Sequence, residues 1–276
     1  MRMLLSLLTI VAVAYVALVL LVYWGQSRLM YFPQQQLSDT PADIGLEYST
    51  VHIATGDGET LHGWWVPVPE AKGTVLFFHG NAGNISHRIN YLAMFKRLGY
   101  HTLLVDYRGY GRSSGTPSEA GMYADAQAAW RYLIDVQGHA PAQIVLFGES
   151  LGGAVAAWLA GREQPGLLVL ASTFTSAPDL AATLYPFLPV RWIARFQYDT
   201  LASLKSVACP VFIAHSPDDE IIPFGHGQRL FEAAAEPKQF LTLEGGHNSG
   251  FIFMQPRWIK ALGGFMDERM SKLPKQ

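Results

Sequence analysis

The sequence is poor in cysteine and in charged residues. Cys209 is the one cysteine among 276 residues, which excludes a small domain held together by disulfides. Charged residues make up 15% of the chain, against about 25% in typical domains, and hydrophobic residues make up 50%. A disordered chain needs the opposite balance, with few apolar residues and many charges. A chain of this length can instead form one large domain or two small ones, and bury most of its apolar surface without crosslinks.

A basic cluster is also missing. The chain has 20 basic and 22 acidic residues, and its net charge is −2. Proteins that bind nucleic acid carry a basic patch or stripe as their electrostatic footprint. We therefore expect no nucleic acid among the partners of this protein.

The N-terminus contains a long run without charge, from Met3 to Trp24. As a helix that rises about 1.5 Å per residue, this run spans roughly 33 Å, enough to cross the hydrocarbon core of a bilayer. A cleaved signal peptide has a shorter apolar region that ends in small residues. Here the run continues past its Ala-x-Ala at residues 12–14 and ends in Tyr23 and Trp24, residue types that anchor at membrane interfaces. We predict an uncleaved transmembrane signal anchor over residues 1–28, with a cleaved signal peptide and a buried core helix as the alternatives.

The charges that flank this run give a weak indication of orientation. Arg2 and the terminal amine precede the run, and Arg28 follows it. Cytoplasmic flanks carry the excess of positive charge, so the bias places the N-terminus in the cytoplasm. We expect a single-pass membrane protein whose main domain lies on the non-cytoplasmic side.

The rest of the chain divides into a linker and one domain. Residues 29–45 contain two prolines and a run of glutamines, and we predict a linker that lies on the domain. In residues 46–276, short β-branched runs alternate with longer helical patterns. This alternation predicts an α/β fold, and continuous apolar runs such as residues 74–78 suit parallel strands covered on both faces. Eight strands and five helices are predicted: strands at Tyr48–Ile53, Leu61–Val68, Thr74–Phe78, Thr102–Asp106, Gln143–Phe147, Leu167–Ala171, Val211–His215 and Gln239–Leu243, and helices at about 86–98, 118–137, 152–162, 225–235 and 254–270.

One serine stands in the context of a nucleophile. Residues 148–152, with Ser150 at their centre, read G-x-S-x-G between an apolar run and a helix that opens with small residues. A nucleophile elbow needs a strand before the serine and a helix after it, so that the hydroxyl stands on a sharp turn. A second copy, centred on Ser113, is followed by Thr-Pro rather than by a helix, and we predict a loop there. Ser150 is the predicted nucleophile. In the alternative, Ser150 has no catalytic role and is only a small residue that fits a tight turn.

The base that would activate this serine is predicted to be a histidine, because no Ser-x-x-Lys occurs in the chain. In elbow enzymes the chain order is Ser, acid, His, and only His215, His226 and His247 follow Ser150. His215 ends an apolar strand, where packing or capping is expected, and His226 begins a helix. His247 lies in a glycine-bearing loop directly after a predicted strand. We predict His247 as the general base, with a solvated loop histidine as the alternative.

The acid that orients the histidine should follow the preceding strand. Asp218, Asp219 and Glu220 compete at that position. One carboxylate is enough to hold the imidazole tautomer and to stabilise the imidazolium, so we expect the other two to be solvated or to form a turn. Asp218 follows a proline and suits a turn, and spacing alone favours Asp219 only slightly.

Acyl transfer also needs fixed donors for a developing oxyanion. One donor should be the backbone N–H of Leu151, the residue after the nucleophile, and the other should come from the loop after an earlier strand. Strand 74–78 ends in His79-Gly80-Asn81, and we predict the backbone N–H of Asn81 as the second donor. An ordinary turn is the alternative, and His79 is expected to have a structural, hydrogen-bonding role.

Together these segments resemble the α/β-hydrolase family over about residues 46–270. The closest likeness is to membrane-anchored hydrolases of the serine aminopeptidase-type and bud-emergence-like subgroups. The family's acid motif reads H-G-x-x-D; here Ser216 replaces the glycine, and the aligned acid is Asp219. The resemblance implies a short cap over the active site at about residues 173–205, a serine nucleophile, and no metal or cofactor. Five segments carry it: His79-Gly80-Asn81, Asp106 to Ser113, Gly148 to Gly152, His215 to Asp219, and Gly246-His247.

The residues and the resemblance predict a membrane-anchored serine hydrolase. Its substrate is expected to be a carboxylic ester or thioester of a lipid-like acyl group, and its other partner the lipid bilayer. Residues 173–205 are rich in apolar and aromatic side chains. They are expected to form either an apolar lid that shapes an acyl pocket and touches the membrane, or a helix pair packed on the sheet. A serine peptidase and a non-catalytic, membrane-tethered scaffold are the alternative functions.

Overall fold

The structure, a computed structural model, describes residues 1–249 and 255–270. Within these residues the helices are α1 (Arg2–Met30), α2 (Ile89–Leu98), α3 (Glu119–Arg131), α4 (Leu151–Ala160), α5 (Ala177–Leu184), α6 (Val190–Ile193), α7 (Thr200–Leu204), α8 (Gly225–Ala233) and α9 (Pro256–Met270). The strands are β1 (Phe32–Pro33), β2 (Ser49–Ala54), β3 (Thr60–Val66), β4 (Thr74–Phe78), β5 (Ala82–Gly83), β6 (His101–Val105), β7 (Ile144–Glu149), β8 (Leu167–Ala171), β9 (Val211–His215) and β10 (Lys238–Thr242). Residue 254, the first of the predicted helix 254–270, lies outside the described residues. Residues 250–253 and 271–276 of the predicted domain lie outside them as well.

Eight strands form one mostly parallel sheet, in the order β10-β9-β8-β7-β4-β6-β3-β2. The six strands from β10 to β6 pair in parallel, whereas β3 runs antiparallel to both β6 and β2. Each predicted strand is present, with its ends within two residues of the predicted ends. The predicted α/β class and the eight-stranded sheet are therefore confirmed.

Alternate residues of the central strands face two different cores. On β4, Leu76 and Phe78 pack in one cluster with residues of α3 and α4. Val75 and Phe77 pack in the other cluster, with residues of α2 and α9. Because side chains alternate along a strand, a strand covered on both faces has no polar side. This is why β4 reads as an unbroken apolar run, and why the loops at its carboxyl end are the first place where polar side chains can gather.

Helix α1 is apolar and exposed along most of its length. It is the one helix in the described part of the chain that is long and apolar enough to cross a membrane, with a mean hydropathy of 2.8. Its second half has one partly covered face, where Val19, Val22, Gln26 and Met30 are half-buried. One side of α1 therefore lies against the domain, and the remaining sides do not.

The chain between α1 and β2 is more ordered than the predicted linker. β1 pairs in parallel with β5, with Phe32 opposite Ala82. Tyr31 is buried, and its hydroxyl lies 2.8 Å from the hydroxyl of Tyr198. A short 3-10 turn follows at Pro41–Ile44. A two-residue strand leaves no periodic pattern in a sequence, so this pairing could not be predicted.

Residues 173–205 form three short helices. α7 packs against α4 and buries Leu204. α5 and α6 contact each other beside α1, and the segment around them leaves Phe187 and Trp192 62% and 90% exposed. α7 is therefore a helix packed on the domain, whereas α5, α6 and the chain between them expose apolar side chains beside α1. The apolar lid over the active site stays a prediction.

Candidate active site

Ser150 occupies a sharp turn between β7 and α4. Its φ and ψ are 52° and −120°, a conformation that is strained for any residue with a side chain. Two glycines make this turn sterically possible. A Cβ on Gly148 would overlap the carbonyl oxygen of Gly152, and a Cβ on Gly152 would overlap that of Phe78. A strained serine between a buried strand and a helix is the arrangement of a nucleophile elbow, which presents the hydroxyl at the carboxyl edge of the sheet.

The imidazole of His247 lies between Ser150 and Asp219. Its Nε2 is 3.2 Å from Ser150 Oγ, and its Nδ1 is 2.8 Å from Asp219 Oδ2. All three residues are buried, at 6–8% exposure. In such an array the imidazole can take the serine proton, and the carboxylate stabilises the imidazolium that results. The structure thus brings together the three residues predicted as catalytic, from chain segments that follow β7, β9 and β10.

The carboxylate of Asp219 is held ionised. Burial alone would raise its pKa, but the hydrogen bond and the charge of His247 and the N–H of Ile222 outweigh burial, so the pKa lies below its usual value. Oδ1 accepts hydrogen bonds from the backbone N–H groups of Ile221 and Ile222, at 3.0 and 2.7 Å. Burial lowers the pKa of the neighbouring His215, whose Nε2 is 2.8 Å from the carbonyl oxygen of Ile222. His215 is therefore a packed, neutral residue, as expected for the end of a strand.

The two other acids of this loop have different environments. Asp218 is exposed, and its N–H donates to Ser216 Oγ at 3.1 Å, which is the expected turn. Glu220 is also exposed, as expected of a solvated acid, but it has a backbone partner that was not predicted. Its Oε2 accepts a hydrogen bond from the backbone N–H of His247 at 2.9 Å. Glu220 therefore holds the backbone that carries the imidazole, while Asp219 holds the imidazole itself.

The remaining serine and histidine candidates have structural partners. Ser113 Oγ donates to the carbonyl oxygen of Asp106 and accepts from the N–H of His62, both at 2.8 Å. His226 is buried, with Nδ1 2.9 Å from Thr175 Oγ1, and burial lowers its pKa to about 4. Neither residue belongs to the array around Ser150.

The predicted oxyanion donors, Leu151 and Asn81, flank Ser150. Leu151 is the first residue of α4, so its N–H has no acceptor within the helix. In the described part of the chain, the N–H of Asn81 has no acceptor either. Its loop runs close to the serine, since a Cβ on Gly80 would lie 3.4 Å from Ser150 Cβ. Free amides that face a serine hydroxyl can stabilise a developing oxyanion, and Leu151 and Asn81 stay the predicted donors.

The loop after β4 is held by two tyrosine hydroxyls. Tyr107 donates to the carbonyl oxygen of His79 at 3.0 Å, and Tyr110 donates to that of Asn81 at 2.8 Å. His79 Nδ1 lies 2.7 Å from the carbonyl oxygen of Gly80, and burial lowers the pKa of His79 to about 3, so this histidine has the expected structural role. No role was predicted for these tyrosines, although both lie in a segment that carries the family resemblance.

The same loop is joined to the end of α1. The side-chain amide of Asn81 donates to the carbonyl oxygen of Met30 at 2.9 Å, and the N–H of Phe32 donates to the carbonyl oxygen of Asn81 at 3.1 Å. Asn81 is thus held through both its side chain and its carbonyl oxygen by the chain at the end of α1. No sequence signal links residues about 50 positions apart in this way.

Known proteins share this architecture and much of this sequence. The profile of the serine aminopeptidase family S33 matches residues 69–198. The chain is 37% identical to an uncharacterized protein of Mycobacterium tuberculosis, over 96% of this chain and 95% of that one. It is 35% identical to the alpha/beta hydrolase domain-containing protein WAV2 of Arabidopsis thaliana, over 76% of both chains. The chain belongs to the α/β-hydrolase family.

A solved structure supports the fold of this α/β hydrolase. The esterase Pf2001 of Pyrococcus furiosus superposes with a TM-score of 0.73 and covers 87% of this chain and 98% of its own. The sequence identity is 21%, so this likeness concerns the fold alone. The family and the fold together identify the protein as a hydrolase.

A buried ion pair fixes the residue before the elbow of this α/β hydrolase. Glu149 is 3% exposed, and its Oε2 accepts from Arg88 Nε at 3.0 Å. A Cβ on Gly80 would lie 3.5 Å from Arg88 Nη2, so this guanidinium lies beside the loop that flanks Ser150. Sequence reasoning missed the pair because its members are 61 residues apart.

A metal-binding cluster is not found in residues 1–249 and 255–270, where no group of three or more His, Cys, Asp or Glu is placed to hold a metal ion. The chemistry that this site can perform with its own groups is proton transfer through His247 and nucleophilic attack by Ser150.

Proposed function

We propose that this α/β hydrolase is a serine hydrolase that cleaves a carboxylic ester or thioester of a lipid-like acyl group. The observation that carries the proposal is the arrangement of three buried side chains, in which His247 lies between Ser150 and Asp219. Ser150 Oγ is 3.2 Å from His247 Nε2, and His247 Nδ1 is 2.8 Å from Asp219 Oδ2. The strained backbone of Ser150 supports it, since strain is retained where the surroundings impose a function-bearing geometry.

In the proposed mechanism, Ser150 Oγ attacks the carbonyl carbon while His247 takes its proton. The backbone amides of Leu151 and Asn81 bind the oxyanion of the tetrahedral intermediate. His247 then gives the proton to the leaving alkoxide or thiolate, and an acyl-enzyme forms on Ser150. Water attacks this ester with the help of His247, which releases the acid and restores the serine. Asp219 keeps the imidazole in the reactive tautomer throughout.

We also propose that α1 is a single-pass membrane anchor and that the substrate is held in the membrane. The apolar length of α1 and its exposure support the anchor. The exposed aromatic side chains of the cap, Phe187 and Trp192, support a lipid-like substrate. The charge bias from Arg2 supports a hydrolase domain on the non-cytoplasmic side. A membrane-impermeant maleimide tests this, because it should label a cysteine placed at the exposed residue Val136 in intact cells.

A serine peptidase is the second candidate. The family profile that matches residues 69–198 is described as a serine aminopeptidase, and the same acyl-enzyme chemistry cleaves an amide. A thioester, an ester and an amide differ in the leaving group that His247 must protonate. Comparison of p-nitrophenyl esters of increasing chain length with acyl thioesters and aminoacyl amides therefore separates the two candidates.

Labelling with a fluorophosphonate tests the nucleophile directly. The wild type and Ser113→Ala should be labelled, and Ser150→Ala should not. Ser113 is the matched control because it stands in the second G-x-S-x-G, and a thermal unfolding scan of each variant shows that it is folded. If the folded wild type is not labelled, or if Ser150→Ala still is, the proposed mechanism is wrong and a non-catalytic scaffold takes its place.

A further inference from the structure

The cap tip, residues 184–192, exposes an unusual amount of apolar surface. Folded monomers seldom expose contiguous apolar patches beyond a few hundred Å², and larger ones mark sites of interaction. After α1, the described chain exposes eight large hydrophobic side chains, and four of them lie in the cap tip. These four are Leu184, Tyr185, Phe187 and Trp192, at 40%, 49%, 62% and 90% exposure.

Three hydrogen bonds fix the position of the cap along the axis of α1, which is called its height below. Gln26 Nε2 donates to the carbonyl oxygen of Ile193 at 2.8 Å, and Gln26 Oε1 accepts from the N–H of Arg195 at 2.8 Å. The hydroxyl of Tyr15 donates to the carbonyl oxygen of Phe187 at 2.8 Å. From Gln26 to Tyr15 the helix rises about 16 Å at about 1.5 Å per residue. The cap therefore descends along α1 from its end to its middle.

This height is incompatible with a cap that stays outside the membrane. If Phe187 lay in water, residues 2–14 alone would have to cross the bilayer, and they span about 20 Å against the roughly 30 Å of the hydrocarbon core. If Trp24 instead lies at the interface, as aromatic anchors do, Tyr15 lies about 13 Å inside it. Phe187, which is bonded to Tyr15, then lies inside the same leaflet.

The polar groups of the cap fit this depth. The carbonyl oxygen of Phe187 is satisfied by Tyr15, and the N–H groups of Leu188 and Trp192 donate within the tip, at 3.0 and 2.9 Å. Hydrocarbon demands that backbone groups be paired in this way. The charge of Arg191 is paired with Asp179 at 2.7 Å. Long basic side chains of this kind extend to the membrane surface.

An apolar cavity lies between the cap and α1, along the stretch of α1 from Leu18 to Met30. Its volume is about 390 Å³, within the range of about 300–1,000 Å³ that small-molecule sites occupy. Met30, at its wall, accepts the hydrogen bond from Asn81, so the cavity adjoins the loop predicted to hold the oxyanion. The side chains of Leu18, Val22, Leu29, Ala181, Leu188 and Ile193 belong to its lining.

We propose that the cap tip is inserted into the hydrocarbon region of the leaflet next to the hydrolase domain, and that the cavity between α1 and the cap binds the acyl chain of a lipid substrate within that leaflet. The substrate then reaches Ser150 from the membrane rather than from water. This inference rests on the proposed function, in particular on α1 as the anchor.

The depth of the cap tip is measured with the full-length protein in phosphatidylcholine vesicles. In a Cys209→Ser background, three variants each carry one new cysteine, in place of Trp192, Val13 or Val136, and a fluorophore is attached to it. The lipids carry a nitroxide on the acyl chain. Val13 is the membrane control on α1 and Val136 the water control, 64% and 67% exposed. We expect quenching at residues 13 and 192 and little at 136. Quenching at 13 without quenching at 192 overturns the inference, whereas no quenching at 13 overturns the proposed anchor.

The cavity is tested by filling it. Ala181 lines the cavity, and Ala181→Trp should lower kcat/KM for a hexadecanoyl ester about tenfold or more relative to the acetyl ester, because at least two buried methylenes lose their site. Ala181→Leu should have a smaller effect in the same direction. Thr183→Trp is the matched control, since Thr183 is exposed on the same helix and does not line the cavity. Equal loss on both esters, or no loss, refutes the acyl site, and a wild type that cleaves neither ester refutes the proposed function instead.

Discussion

Gly152→Ala should separate the serine elbow from the oxyanion loop. The new Cβ would overlap the carbonyl oxygen of Phe78 and lie 2.6 Å from that of His79, where ordinary contact begins at 3.4 Å. Both obstacles are backbone atoms that cannot rotate away. The overlap with Phe78 is the larger of the two, so the start of α4 and the end of β4 must move apart by more than about 1 Å. A displacement of about 1 Å among catalytic groups costs about a hundredfold in rate.

We expect kcat for a p-nitrophenyl ester to fall about a hundredfold, which is about 2.7 kcal/mol of transition-state stabilisation, with a much smaller change in KM. The rate of fluorophosphonate labelling should fall in parallel, because it uses the same serine and the same amides. Gly264→Ala in α9 is the control. Its Cβ meets nothing within 4 Å, so activity should be unchanged and stability should rise by about 0.5–1 kcal/mol. A folded Gly152→Ala protein with wild-type kcat would show that the close approach of α4 and β4 does not position the site.

Three further perturbations have defined outcomes. Glu220→Ala removes the acceptor for the backbone N–H of His247 and should lower kcat about tenfold, while Glu220→Gln, which keeps an acceptor, should retain most of the activity; steady-state kinetics distinguish them. Tyr110→Phe leaves the carbonyl oxygen of Asn81 with the N–H of Phe32 as its remaining donor, and should lower kcat about three- to tenfold with KM unchanged in the same assay. His226 has a pKa of about 4 in the folded protein and about 6.5 in the unfolded chain, so the unfolded chain takes up the proton first on acidification. The free energy of unfolding should therefore fall by about 2 kcal/mol between pH 7 and 5. In urea unfolding, His226→Asn should not show this fall.

The sheet, and the meeting of Ser150, Asp219 and His247, could be predicted because each depends on a local pattern. β4, β7 and β9 are buried on both faces, so they read as apolar runs whatever their neighbours are. The elbow is equally local, because the glycines at 148 and 152 are required by atoms within the turn and by the adjacent strand. Its position between a strand and a helix also distinguishes Ser150 from Ser113, although both serines lie in a G-x-S-x-G pattern.

The supports of the site could not be predicted, because they depend on how distant segments meet. Glu220 and Asp218 are both acids in one loop, and only the path of the chain decides that Glu220 faces the backbone of His247. Arg88 and Tyr110 act on Glu149 and Asn81 across sequence separations of 61 and 29 residues. Hydrogen bonds of this kind leave no periodicity, so a single sequence contains no trace of them.

The end of α1 and the oxyanion loop form one structural unit, which has a measurable consequence for soluble forms of the enzyme. Removal of residues 2–30 takes away the acceptor for Asn81 Nδ2 but keeps β1 and its pairing with β5, so kcat for a soluble acetyl ester should fall only about two- to tenfold.

Removal of residues 2–34 also takes away Tyr31, which is buried against Tyr198, and the hydrogen bonds of β1. Here kcat should fall about a hundredfold, as for other displacements of about 1 Å, and the thermal midpoint should fall as well. Equal rates for the two truncations would mean that Tyr107 and Tyr110 hold the loop without help and that α1 only tethers the domain. A large difference would mean that the segment after α1 is itself part of the framework that holds the site.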